Sequence, residues 1–434
     1  MNNGSDPRSL ARDLISRYGA PNAAVPSPVR RRAGLTDHPL VAQGRAARRA
    51  LASLTERGLP SPYFLPHRGV SGPTIEILDR EMLNFAAFNY LGLAYHPRVL
   101  AAAKDAIDLY GTSASASRAV AGELPLFGEL ERRLAGAYGV DDAVVTPSGY
   151  LTNAAVIPFL LTPADIAVCD GLIHSSVVSG TRWAQCRRLT FRHNDPESLA
   201  SVLRHSRGSG ERALVVLEGV YSMDGDIAAL PELAAVAREY DALVMVDEAH
   251  SFGTLGERGM GVREHFGLAP DSVDIWMGTL SKTLAGCGGF LAGDADLIWA
   301  IRLLAPGVSL YATASTPAQA AASIAAFDVL RAEPERPARL RTNAARALTA
   351  LRDQGWNTGT SAGTPIVPLI IGDQVATVEL SLWLLQHGIN AAPITQPGVD
   401  PGQDRVRLFF SSEHTTGQLD RLVELLGRYR SGER

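Results

Sequence analysis

Two short stretches carry residues suited to chemistry. In "ALVMVDEAHSFG", Asp247, Glu248 and His250 directly follow an apolar run. In "DIWMGTLSKTLAGCGG", Lys282 stands between small hydroxyl residues and glycines, again just past an apolar run. A lysine in that setting is desolvated, which favours its neutral, nucleophilic amine. It lies 35 positions after Asp247 (282 minus 247). An aspartate together with a Schiff-base lysine is the pairing that pyridoxal phosphate requires: the carboxylate keeps the pyridine nitrogen protonated, which makes the ring an electron sink, while the lysine holds the aldehyde. Asp247 would meet the ring nitrogen, His250 would reach the ring hydroxyl, and Glu248 would be structural. Taken singly, each has a plainer reading. The lysine is a solvated charge, or the aspartate satisfies loop amides beside a core histidine.

These residues need a scaffold that brings separate segments to one edge. "DAVVTPSGY", "DIAVCD", "ALVVLEG", "ALVMVDEAH", "DIWMGTLSK" and "GGFLAG" read as strands alternating with helical patterns, which predicts an α/β fold with a mostly parallel sheet between helices. The runs are almost continuous in Val, Leu and Ile, as in strands buried on both faces. Ligands of such sheets bind beyond the carboxyl ends of the strands. Ser148, Asp170, Glu218, Asp247, His250, Thr279, Ser281 and Lys282 all fall there. "SGYLTN", opening a helix after a strand, either presents amides and a hydroxyl to a phosphate or is an ordinary capped helix start. Three regions are expected: an N-terminal arm and helix over 1–88, a large domain over 89–320, and a smaller C-terminal domain over 321–434. Within the first, residues 1–35 read as a loosely ordered arm and Pro39 to Arg57 as a helix.

Composition narrows the function classes. The 434 residues are 46% apolar and 20% charged, with a net charge of -4, which argues against a general nucleic-acid or membrane-surface role. Residues 1–60 depart from that balance, with ten Arg against four acidic residues. No apolar run reaches the eighteen or so residues of a membrane helix, and the N-terminus lacks the apolar core of a secretion signal, so a cytoplasmic protein is expected. Cys169, Cys186 and Cys287 form no CxxC pair and are expected to be reduced packing residues; no metal site is indicated.

The motifs "NYLG", "SGYLTN", "DGLIHSSVVSG", "FRHNDPESL", "EGVYSMDGDIAAL", "VDEAHSFGTLGERGMG", "GTLSKTLAGCGG" and "RVRLFFSSEHT", in this order from about Asn89 onward, resemble the α-oxoamine synthase family of fold-type I pyridoxal phosphate enzymes. That family includes 8-amino-7-oxononanoate synthase and serine palmitoyltransferase, and "HND", "VLEGVYSMDGD" and "TAS" tilt the resemblance towards the latter. The resemblance implies a decarboxylating condensation of an α-amino acid with an acyl thioester, carried on coenzyme A or an acyl-carrier protein. It implies that Lys282 holds the cofactor and shuttles the α-proton, and that His174 stacks on the ring. Ser148, Gly149, Tyr150, Thr279 and Ser281 would hold the phosphate, and Ser222 would sit near the ring hydroxyl. Sites shared across a homodimer would bring Thr313 to the partner's phosphate. Arg407 and Asn89 would take the amino-acid carboxylate, for which a planar two-pronged guanidinium is apt. Ser117 would lie near the acyl group. The alternatives are an aminotransferase on the same fold and a catalytically silent subunit, the latter disfavoured by the presence of Lys282.

The departures from the family pattern all lie on the acyl side. "GTSASASRAVAGE" replaces a Gly-rich stretch, Glu123 and Phe127 stand where relatives carry Thr and His, Ala312 precedes Thr313, and Gly398 occupies a threonine position. These imply a reshaped acyl pocket around an intact cofactor site. The basic arm, with Arg30, Arg31 and Arg32, would attract a phosphate-bearing donor or is simply a solvated tail.

Overall fold

The structure, a computed structural model, describes Arg12 and residues 34–56 and 60–433. The rest of the expected arm, including Arg30 to Arg32, lies outside the described residues. The helix expected to follow the arm spans Pro39–Glu56. Next come β1 (His67–Arg68), β2 (Thr74–Ile77) and β3 (Arg80–Asn84).

The large sheet uses β4 (Asp142–Thr146), β5 (Ile166–Asp170), β6 (Arg187–Phe191), β7 (Ala213–Glu218), β8 (Leu243–Asp247), β9 (Ile275–Thr279) and β10 (Gly289–Gly293). Their spatial order is β4-β10-β9-β8-β7-β5-β6. The pairs from β9 through β6 are parallel, and β10 runs antiparallel to both its neighbours. All six residues of β7 and all five of β5 are buried. Side chains alternate between two cores as a period of two demands. Val215, Leu217, Val244 and Val246 enter one; Leu214, Val216 and Met245 enter the other. β6 is the departure from expectation: its "RRLTF" is mostly exposed, as an edge strand permits, and so lacks the apolar run that marks the others.

The C-terminal part contributes β11 (Ile366–Ile370), β12 (Ile389–Asn390), β13 (Pro393–Ile394) and β14 (Arg405–Phe409). β14 lies antiparallel between β11 and β13. β12 pairs in parallel with β3, which joins the N-terminal strands to this part of the chain. Among the described residues no helix is long and apolar enough to cross a membrane. Cys169 is buried and Cys186 half-buried, but Cys287 is exposed, which corrects its reading as a packing residue: it sits in the Gly286–Gly288 turn before β10.

Candidate active site

The parallel topology brings the ends of β5, β7, β8 and β9 to one edge of the sheet, with Glu218 directly opposite Asp247 in the β7–β8 register. Asp247 is buried. Its Oδ1 accepts the Ala249 amide at 2.9 Å, and its Oδ2 accepts Asn153 Nδ2 at 2.9 Å. Asn153 belongs to the helix Gly149–Leu160 and also donates to Ser176 Oγ at 3.0 Å. Ser176 Oγ in turn lies 2.7 Å from Nδ1 of His174, the residue that caps the helix Ser175–Ala184. Burial, with the nearby Lys282 ammonium adding to it, lowers the His174 pKa against the pull of Asp247, so its imidazole is neutral.

His250 is buried, with Nδ1 2.7 Å from the Tyr90 hydroxyl. Burial first, then Lys282 and Arg407, hold its pKa well below the ordinary value. Glu248 turns away from the edge and accepts the Val262 amide at 3.0 Å and the Ser251 hydroxyl, a structural role.

Lys282 follows β9 in a small closed loop, in which the Leu280 amide meets the Gly288 carbonyl at 3.0 Å and the Gly286 amide meets that of Leu280 at 2.8 Å. Burial pushes its pKa down to about 8, although Asp247 and Glu218 both oppose the shift. Its Nζ lies 5.8 Å from the centre of the Phe88 ring. The end of "DEAHSFG" buttresses this loop. Thr283 Oγ1 donates to the Phe252 carbonyl at 2.9 Å, and Gly253, at φ +84°, leaves room for the Thr283 side chain.

Ser148 caps the helix Gly149–Leu160 through the Leu151 amide. The positive helix end, with the Gly149 and Tyr150 amides in its first turn, faces Thr279: a Cβ on Gly149 would stand 3.0 Å from Thr279 Oγ1. Thr279 Oγ1 donates to the Gly288 carbonyl at 2.9 Å and accepts the Ser281 amide at 3.2 Å. Tyr150 turns its hydroxyl to Ser179, at 2.7 Å.

On the far side, Arg407 of β14 donates from Nη1 to the Ser222 carbonyl at 2.8 Å, while its buried Nε has no partner among the described residues. Asn89 is occupied locally: its amide donates to the Ser71 carbonyl at 3.0 Å and accepts from the Ala94 amide at 3.3 Å. Ser117 receives the Gly122 amide on its carbonyl at 2.9 Å. Thr313 is exposed, in a segment tied to the sheet by Ser315 Oγ donating to the Thr146 carbonyl at 3.3 Å.

A family pattern described as aminotransferase class I and II matches residues 80–426. The 8-amino-7-oxononanoate synthase 1 of Bacillus velezensis is 40% identical over 355 residues, 82% of this chain and 90% of that protein. The serine palmitoyltransferase of Sphingobacterium spiritivorum is 36% identical over 376 residues, 86% of this chain and 93% of that protein. A solved serine palmitoyltransferase from S. paucimobilis, with bound PLP-myriocin, superposes with a TM-score of 0.85 at 29% identity, over 92% of this chain and all of that one. The chain belongs to the α-oxoamine synthase family.

Four residues of this α-oxoamine synthase's site were not singled out from sequence. Asn153 and Ser176 sit inside helices, within the runs "SGYLTN" and "DGLIHSSVVSG", and Tyr90 and Phe88 precede the sheet altogether. "NYLG" was the signal available for Tyr90; Phe88 lies just before it. Two of the departures from the family pattern, Glu123 and Phe127, meet at Arg118. Glu123 takes Arg118 in a two-pronged ion pair at 2.7 and 2.8 Å, Glu131 binds the same guanidinium from within, and Phe127 lies 4.8 Å beneath it. The Glu and Phe that replace the family's Thr and His thus clamp the turn that begins at Ser117.

Proposed function

We propose that this α-oxoamine synthase condenses a small α-amino acid with an acyl thioester. A carbon–carbon bond forms between the amino acid's α-carbon and the acyl carbon, the thiol leaves, and the carboxyl group departs as CO2. One observation carries the reading: a desolvated lysine, Lys282, at the end of β9 beside an aspartate, Asp247, whose carboxylate Asn153 holds in place.

The residues fit pyridoxal phosphate. Asp247 is buried, as a carboxylate that must face a pyridinium nitrogen should be, and His250 is neutral with one ring nitrogen held by Tyr90. When bound, pyridoxal phosphate supplies an electron-poor ring that delocalises negative charge from the amino acid's α-carbon. Lys282 would hold the cofactor's aldehyde carbon and, with a pKa near 8, would take and return the α-proton at Nζ near neutral pH. His174 would cover one face of the ring, its orientation fixed by Ser176. Ser148, Gly149, Tyr150, Thr279 and Ser281 would hold the phosphate at the positive helix end. Ser222 would lie near the ring hydroxyl. Arg407, its Nη1 engaged and its buried Nε without a partner among the described residues, would turn its remaining edge to the amino-acid carboxylate, while Asn89 lends support from its turn. Ser117, on the clamped turn, would border the acyl group.

We place the enzyme in the cytoplasm as a homodimer in which Thr313 serves the partner's phosphate site; its exposure beside the end of β4 supports that assignment. The test is spectroscopic and chemical. Protein loaded with pyridoxal phosphate is titrated with each of the twenty amino acids, followed by acyl-CoA and acyl-carrier-protein donors. The expected result is a visible-band change with one or two small amino acids and, once a thioester is added, release of CO2 and free thiol in equal amounts. Accumulation of pyridoxamine phosphate with any amino acid would instead assign an aminotransferase.

A further inference from the structure

His193, the first residue of "HND", lies outside the groups assigned above and is held by two carboxylates. Its Nδ1 is 2.8 Å from Asp170 Oδ1 and its Nε2 is 2.8 Å from Asp226 Oδ2. Both aspartates are buried, and the ring packs edge-on against Tyr221 at 4.4 Å. A neutral imidazole has one N–H and can donate to only one carboxylate, so two ionised carboxylates at these distances call for the imidazolium. Burial opposes the charge, but Asp170 and Asp226 outweigh it and hold the pKa up to about 10. Asn194 reinforces the arrangement: its amide N–H donates to Asp170 at 2.8 Å, and its side chain donates to the Ile227 carbonyl at 2.8 Å.

These bonds fix the base of the turn over residues 219–227. Within it the Tyr221 amide meets the Asp226 carbonyl at 3.0 Å, and the Gly225 amide meets the Tyr221 carbonyl at 2.8 Å. The tip, Ser222 to Asp224, faces β14. The Ser222 carbonyl accepts from Arg407 at 2.8 Å, and Asp224 and the Met223 carbonyl accept from Arg405 at 2.8 and 3.0 Å. One end of the turn is thus held by an imidazolium at the ends of β5 and β6, and the other orients the guanidinium of Arg407.

We infer that His193, bridging Asp170 and Asp226, is a positioning residue for amino-acid binding, fixing the 219–227 turn and through Ser222 the edge that Arg407 offers to the carboxylate. The inference rests on the proposed role of Arg407. Protein loaded with pyridoxal phosphate is compared as wild type, His193→Gln, His193→Arg, Asp226→Asn and Arg407→Lys. The readouts are dissociation constants for glycine, L-alanine and L-serine from visible-band titrations, KM and kcat for the amino acid that turns over, and hydrogen exchange of the 219–227 segment. In His193→Gln the dissociation constant and KM should rise about tenfold, kcat should change far less, and the segment should exchange faster. His193→Arg, which restores a cation able to reach both carboxylates, should recover part of the loss. If His193→Gln does not fold, Asp226→Asn carries the same expectation with one carboxylate charge removed. Unchanged amino-acid affinity in both His193→Gln and Asp226→Asn, with affinity lost in Arg407→Lys, overturns the inference and leaves the Arg407 reading intact. Unchanged affinity in Arg407→Lys overturns the Arg407 reading and the inference with it.

Discussion

At the scale of single residues, the site is organised around one amine and two imidazoles whose charged forms burial disfavours. Lys282 shows what this costs. Its pKa lies near 8 in the folded protein against an ordinary value of 10.5, so between those pH values the unfolded chain binds a proton that the folded chain does not, and stability rises with pH across that window. Below pH 8 both states hold the proton and the penalty of burying the ammonium is complete. Lys282→Met should therefore stabilise the cofactor-free protein at pH 7 by about 3 kcal/mol, with the gain fading to nothing by pH 10.5. Chemical denaturation of both proteins across that range measures it, and a gain that does not change with pH would refute it. Lys282, Asp247 and His250 were legible because each follows an apolar run. Asn153, which aligns the Asp247 carboxylate, closes the run "SGYLTN", but its role was not legible, since an asparagine within a helix carries no mark of the strand end it will reach.

At the scale of elements, close backbone approach sets the geometry between segments. The loop after β8 and the loop carrying Lys282 meet at Gly253 and Thr283, where a Cβ would overlap the threonine side chain and the backbone is left-handed besides. Gly253→Ala should cost about 3 kcal/mol through overlap and strain together. It should also weaken retention of pyridoxal phosphate, because the Lys282 loop must move. Thermal melts and cofactor dissociation report the two effects separately; wild-type values in both would show that the loops are not in register with one another. The six strands of the large sheet read from sequence were readable because burial on both faces makes their runs largely apolar. β6 was not, because an edge strand keeps polar side chains, and the pairing of β12 with β3 joins segments about 300 residues apart, which no local pattern encodes.

At the scale of the whole molecule, the question is whether one chain completes its own site. Lys282, Asp247, His174 and His250 all come from one sheet edge of one chain, whereas Thr313 stands exposed beside the end of β4. If each site takes Lys282 from one chain and Thr313 from the other, two differently disabled chains can complement each other. Lys282→Ala removes the amine, and Thr313→Glu sets a carboxylate against the phosphate. In a mixed dimer one site carries both defects and the other carries neither. Random pairing makes about half of the dimers mixed, and each mixed dimer has one intact site of two, so co-expression of the two inactive variants should restore about a quarter of wild-type turnover. Were Thr313 to serve its own chain, every site would keep one defect and mixing would restore nothing. Turnover of tagged, co-purified mixed dimers therefore decides between a shared site and a self-contained one, and it does so without requiring the acyl donor's carrier to be known.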